Sequence, residues 1–165
     1  MIIRNIETED AAQFLALTKK LDEETKFMLL EPGERTTTLK QQEERIASIL
    51  ASRASMIFVA EAEGNIVGYL GAFDSDENRI RHSLYIVVGI LQQYGGRGIG
   101  TRLFAELDGW AVEHDIHRLE LTVMAHNERA VALYKKAGFE IEGLKKHSIK
   151  VDGAYVDEYY MAKLL

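Results

Sequence analysis

The chain has 165 residues, of which 47% are apolar and 28% charged, enough for one globular domain with its own core over residues 1–165. It contains no cysteine, which excludes disulfides, thiolate nucleophiles and cysteine-ligated zinc. A net charge of −6 repels phosphate backbones, so no nucleic-acid partner is expected and cationic small partners are favoured.

The opening MIIRNIETEDAAQF carries early acids and no apolar signal core, and no run approaches the ~18 apolar residues of a membrane span. A cytoplasmic address with no membrane contact is expected. Residues 1–6 read as a strand, with Thr8 capping the helix that follows. Beyond the turn EPGE, which holds the single proline Pro32, Leu39, Ile46, Ile49 and Leu50 predict a surface helix over 39–53. MIFVAEA and IVGYLGAF flank Glu63-Gly64-Asn65 as a β-hairpin. RHSLYIVVGIL is apolar enough for a central strand, and Gly89 interrupts its branched run as a bulge would. From Gly98 onward Ile99, Leu103, Leu107 and Trp110 recur at helical intervals. RLELTV alternates as a strand, AHNERAVALYKKAGF reads as a helix stopped at Gly138, and HSIKVDGAYVDEYYMAKLL as two strands around Asp152-Gly153. The order β-α-α-β-β-β-α-β-α-β-β is an α/β fold with a mixed sheet.

QQYGGRGIGTRLF, residues 92 to 104, packs Gly95, Gly96, Gly98 and Gly100 into six positions at a helix start. Glycine there lets a ligand approach the backbone, and the free amides of a first helical turn attract anions. A P-loop requires Gly-Lys-Ser/Thr, whereas Gly100 is followed by Thr101 and Arg102. The dinucleotide pattern Gly-x-Gly-x-x-Gly does not fit Gly96-x-Gly98-x-Gly100 either. A diphosphate cradle for coenzyme A is the third possibility.

QYGGRGIGTRLF and, further on, NERAVALYKKAGFE resemble two signatures of the GNAT superfamily of acyl-CoA-dependent N-acyltransferases, Q/R-x-x-G-x-G/A and N-x-x-A-x-x-L-Y-x-K-x-G-F. The element order is also that superfamily's, so the likeness runs over the whole chain. It implies a GNAT fold, with a mostly antiparallel mixed sheet and a splayed central strand that receives the coenzyme arm. One position departs from the pattern: Gly95 stands where the superfamily carries Arg or Gln. Backbone amides make most contacts in such a loop, and Arg97 can add charge.

The resemblance further implies that acetyl-CoA is the cosubstrate and that Gly95, Gly96, Arg97, Gly98, Ile99, Gly100 and Thr101 hold its diphosphate. Val88 and Ile90 would pair with its arm, the Ile90 amide polarising the thioester carbonyl. Asn127, Ala130 and Tyr134 share one helix face, which the superfamily turns toward the sulfur. Tyr134 is then the general acid for the departing thiolate, its ordinary pKa near 10 set against about 8.5 for a thiol. Asn127 reads either as a cofactor contact or as a helix N-cap. No base is evident: the central strand offers His82 and Tyr85, while Asp74, Asp76 and Glu77 read as a solvated loop. His114 and His117 flank Asp115 without a third ligand, so no metal is expected.

Acceptor recognition is expected from LDEETKFMLLEPGERTTT and the final hairpin. Asp22, Glu23, Glu24 and Glu31 are either an attraction for a cationic amine or helix-surface charge. Phe27, Met28, Leu29 and Leu30 are expected in the core. Tyr155, Tyr159 and Tyr160 suit a substrate wall, a core surface or a homodimer contact. The implied activity is direct acetyl transfer in a ternary complex to a primary amine, on a small molecule, a polyamine or a protein N-terminus, since no cysteine exists for a covalent intermediate. A non-catalytic acyl-CoA-binding or regulatory module is the alternative, with Gly95 as its clue.

Overall fold

Period-2 apolar runs assemble into one seven-stranded sheet in the computed structural model, which describes residues 1–165. The strands are β1 (Ile2–Asn5), β2 (Met56–Ala62), β3 (Asn65–Phe73), β4 (Ser83–Ile90), β5 (Arg118–Met124), β6 (Glu140–Val151) and β7 (Ala154–Leu164). They lie in the order β1-β2-β3-β4-β5-β7-β6, and β4–β5 is the one parallel pair. Four helices cover the faces: α1 (Ala11–Glu24), α2 (Leu39–Ala51), α3 (Ile99–Glu113) and α4 (Glu128–Lys136). Phe14 of α1 meets Tyr69, and Arg45 of α2 lies over Phe73 on the same face. On the opposite face Trp110 of α3 meets Phe58, and Phe104 meets Tyr134 of α4. The core between these layers is built on Leu70, Leu84, Leu103, Leu107, Leu119 and Met161, all fully buried. No helix is long and apolar enough to cross a membrane.

The predicted order of elements is the observed one, with four local differences. Thr8 does not cap α1: residues 8–10 form a 3-10 turn, and Asp10 accepts the Glu7 amide at 2.7 Å while its carboxylate takes two hydrogen bonds from Arg4. The second helix stops at Ala51, and Thr38 begins it with a reciprocal cap: its hydroxyl accepts the Gln41 amide while Gln41 Oε1 accepts its own. β6 begins at Glu140, seven residues before the predicted hairpin, because its charged, irregular sequence hides the alternation. Gly89 is not a bulge, since β3 and β4 stay in continuous register through it. A Cβ there would lie 2.7 Å from Leu21 Cδ1 and 2.9 Å from Tyr69 Cε1, so glycine is what allows α1 to pack onto the strand. Both hairpin turns carry consecutive left-handed residues, Glu63-Gly64 and Asp152-Gly153, as a type I′ turn requires.

Candidate active site

The site begins where two strands part. β4 and β5 pair only at Ser83–Arg118, Leu84–Leu119 and Tyr85–Glu120. Beyond Tyr85, β4 stays with β3 as far as Ile90, while β5 stays with β7 as far as Met124. A wedge therefore opens between them, with Tyr85 Oη and Thr122 Oγ1 hydrogen-bonded at 2.9 Å across its narrow end. Leu91 donates its amide to Val67 O, and antiparallel bonding alternates along a strand. Gly89 and Val87 consequently bond toward β3, leaving the amides and carbonyls of Val88 and Ile90 facing the wedge. The expected splayed strand is present.

The glycine loop closes the wide end. A short 3-10 turn over Gln92–Tyr94 leads into Gly95, then Gly96 at φ +72° and Gly98 at φ +77°, conformations other residues rarely adopt. The first bond of α3 runs from Arg102 N to Gly98 O, so the amides of Ile99, Gly100 and Thr101 have no partner within the helix. No atom lies within 4 Å of a Cβ built on Gly98. Open space before unpartnered amides at a helix N-terminus is a built anion cradle, and the residues fit the diphosphate of coenzyme A. The four glycines differ in purpose. Gly100 admits Leu133 of α4, whose Cδ2 is 2.6 Å from a Cβ there. The Gly95 amide is already bonded to Gln92 O, and Arg129 occupies the space of its missing side chain. Ile99 buries its side chain, Thr101 is exposed, and Arg97 lies over the Tyr94 ring at 5.1 Å.

α4 forms the third wall. Asn127 caps it, its Oδ1 accepting the Ala130 amide at 3.3 Å, so its N-cap role is realised. Ala130 is half-buried one turn on. Tyr134 is 8% exposed, its ring edge-on to Phe104 at 5.8 Å and near Phe139, and its hydroxyl bonds to no protein group but is not sealed from solvent. Burial pushes the phenol well above its ordinary range, with the neighbouring Tyr69 and Tyr85 adding to the shift.

On the α1/α2 side, the even-numbered residues of β5 and β7 face a pocket of about 310 Å³ lined by Tyr85, Arg118, Glu120, Thr122, Glu142 and Tyr160. Arg118 is held between Glu120 at 2.7 Å and Glu142 at 3.0 Å. The segment after α1 runs beside this face: Glu24 accepts the Gln92 amide, the Phe27 ring lies 5.2 Å from that of His126, and Lys26 pairs with Asp152 of the final turn. Phe27 and Leu29 are not core residues, being 41% and 79% exposed, because this segment is held by polar anchors and has no amphipathic period. Met28 and Leu30 are half-buried. Asp22 is 2% exposed and paired with Arg35 at 2.7 Å, so it is structural, while Glu23 and Glu31 stay exposed. Tyr155 and Tyr160 are exposed, and Tyr159 packs on the core.

His82 precedes β4 at the end remote from the loop. At ~3.3 Å per residue it stands roughly 26 Å from Ile90, too far to serve as a base there. Asp74 is no solvated loop residue either: it accepts from Ala54 N at 3.0 Å and Ser55 Oγ at 2.6 Å, tying down the start of β2. His114 stacks on Trp110 at 3.8 Å, and His117 Nδ1 bonds to Leu165 O. Sequence reasoning missed Arg129, Leu133 and the Tyr85–Thr122 bridge. The unusual glycine at position 95 was the one available signal for the first.

Comparison with known proteins agrees with this geometry. The Acetyltransferase (GNAT) family profile matches residues 17–139. The L-amino acid N-acetyltransferase AaaT of Escherichia coli is 36% identical over 110 residues, covering 64% of this chain and 66% of that protein. The N-alpha-acetyltransferase RimI of Mycobacterium tuberculosis is 36% identical over 116 residues, 69% of each chain. A GNAT-family acetyltransferase structure from Streptococcus pneumoniae superposes with a TM-score of 0.96 at 31% identity over 99% of both chains. A phosphinothricin acetyltransferase from Sinorhizobium meliloti, solved with acetyl-CoA, shares the fold at TM-score 0.87 and 20% identity over 99% of this chain and 88% of its own. With the wedge, the glycine cradle and the capped α4 in one arrangement, this chain belongs to the acetyltransferase (GNAT) family.

Proposed function

We propose that the protein transfers an acetyl group from acetyl-CoA to a primary amine by direct attack within a ternary complex. The observation that carries this reading is the wedge: it joins an anion cradle at one end to a phenol on its flank whose ring is buried and whose hydroxyl bonds to no protein group. When bound, acetyl-CoA supplies an activated acetyl group and a thiolate leaving group. The amides of Gly96, Gly98, Ile99, Gly100 and Thr101 hold its diphosphate. The exposed edge of β4 offers the Val88 and Ile90 amides, one to the arm and the other to the carbonyl oxygen, where negative charge develops. Tyr134 holds a proton for the thiolate, and its raised pKa keeps that proton in place at neutral pH.

The amine enters from the opposite face, beside Tyr85, Thr122 and Tyr160, with Phe27 and Leu29 giving the entrance an apolar lip. Glu23 and Glu31 stay open to draw a cation, and the attacking amine loses its proton to water, since no side chain stands as base. Exposed Ile141, Leu144 and Tyr155 support a homodimer through the terminal hairpin. The test is calorimetric titration with acetyl-CoA, followed by coenzyme A release on adding amino acids, spermidine or N-terminal peptides. Micromolar binding with release for one class supports the proposal. Binding without release for any amine would support the regulatory module instead.

A further inference from the structure

We infer that Arg129 supplies the cation of the diphosphate cradle, in place of the side chain that Gly95 lacks, and that position 95 is glycine because this guanidinium fills the space above it. The inference rests on the coenzyme reading above. A Cβ on Gly95 would lie 2.5 Å from Arg129 Nη2, 2.9 Å from Cζ and 3.0 Å from Nη1, and one on Gly96 would be 3.3 Å from Nη2. No side chain larger than hydrogen fits at 95 unless Arg129 leaves. Two segments far apart in sequence thus share one volume, and this chain fills it from α4 instead of from the loop.

Arg129 is exposed, and no acid of the protein engages its guanidinium. Arg129 sits in the first turn of α4, where the helix dipole disfavours a cation, and it forms no ion pair although acids outnumber Lys and Arg, 26 to 20. None of its five donors reaches a protein acceptor. Arg97, the other guanidinium of the loop, is engaged over Tyr94. A planar fork lying beside a glycine turn, next to unpartnered amides, matches the chemistry of a phosphate oxygen pair.

The test is calorimetric titration of wild type, Arg129→Gln, and Arg129→Ala combined with Gly95→Arg, using coenzyme A and its 3′-dephospho form. Loss of one charge-assisted pair predicts about ten- to a hundredfold weaker binding for Arg129→Gln, for both ligands, with a shallower salt dependence. The double variant regains affinity because the guanidinium returns from the loop side. Melting of Arg129→Gln at or above the wild-type temperature marks the site as one built for a ligand. Equal affinity of wild type and Arg129→Gln overturns the inference while leaving the coenzyme reading intact. A penalty that disappears with dephospho-coenzyme A also overturns it, moving Arg129 to the 3′-phosphate, as does a much lower melting temperature. Failure of the wild type to bind either ligand rejects the coenzyme reading itself.

Discussion

Tyr134→Phe separates catalysis from packing because the ring and the hydroxyl have different partners. The ring packs on Phe104 and Phe139, contacts that phenylalanine keeps, while the hydroxyl bonds to no protein group. A hydroxyl that bonds to no protein group and is not sealed from solvent contributes little to stability, so its removal should change stability by no more than about 1 kcal/mol. Unfolding entropy of about 2.1 cal/mol/K per residue gives roughly 0.35 kcal/mol/K for this length, so Tm should hold or rise by no more than about 3 °C. Turnover should respond very differently. A general acid contributes about 10²- to 10⁴-fold, so kcat falls by that factor, roughly 2.7 to 5.4 kcal/mol of barrier, while the Kd for coenzyme A holds within about twofold. Burial raises the phenol pKa, yet a thiolate formed beside it is desolvated as well, so the proton-transfer balance depends on the difference between the two. The sign for pH follows: an acid with a raised pKa stays protonated as pH rises, so Tyr134 imposes no falling limb below about pH 10. The rate should instead climb as the amine deprotonates. Steady-state kinetics from pH 6 to about 10, with calorimetry for binding, decide the matter. Retention of kcat within about threefold, or an equal loss of coenzyme affinity, would refute the acid role, whereas a falling limb near pH 8 that disappears in the phenylalanine variant would keep Tyr134 as the acid and refute its raised pKa.

Three further outcomes follow from the packing. Gly89→Ala places a Cβ 2.7 Å from Leu21 Cδ1, so overpacking of about 1 to 3 kcal/mol should lower Tm by roughly 3 to 9 °C in scanning calorimetry; an unchanged Tm would show that close packing of Leu21 is not what glycine serves there. Asp22→Asn leaves the part-buried Arg35 guanidinium without its charged partner and should destabilise by about 1 to 3 kcal/mol in urea, without altering KM for the amine. A selective rise in KM would instead make Asp22 an acceptor contact. Arg4 holds the Asp10 carboxylate below its ordinary pKa, so the pair stabilises the fold above about pH 4 and the gain is lost as pH falls through the depressed folded value. Asp10→Asn should therefore lower stability at pH 7 and flatten its decline in acid denaturation, and an unaltered acid limb would disprove the linkage.

The order of strands and helices was legible because each long element repeats its own apolar period. β6 escaped in its first half because EIEGLKK alternates weakly and is separated from the predicted HSIK by the left-handed His147. The apolar run at 27–30 misled for the opposite reason: hydrophobicity without a period says nothing about which side is covered. The wedge itself left no local mark, since it results from β4 and β5 keeping different second partners.

The glycines show most clearly where sequence reading ends. A motif records that positions 95, 96, 98 and 100 are glycine, but the reason at each lies in another element. Gly96 and Gly98 are required by their own backbone angles, which is local and could be anticipated. Gly100 and Gly89 are required by Leu133 and Leu21, which reach them only after α4 and α1 have packed. At Gly95 the neighbour is the guanidinium of Arg129, 34 residues on. The departure from the family pattern, which from sequence alone pointed to a weakened cradle, therefore reads in three dimensions as an exchange: the loop gives up a side chain at the one position where α4 brings a guanidinium. Loss at one site and supply at the other are a single structural event, so a substitution at either residue has to be judged together with its partner.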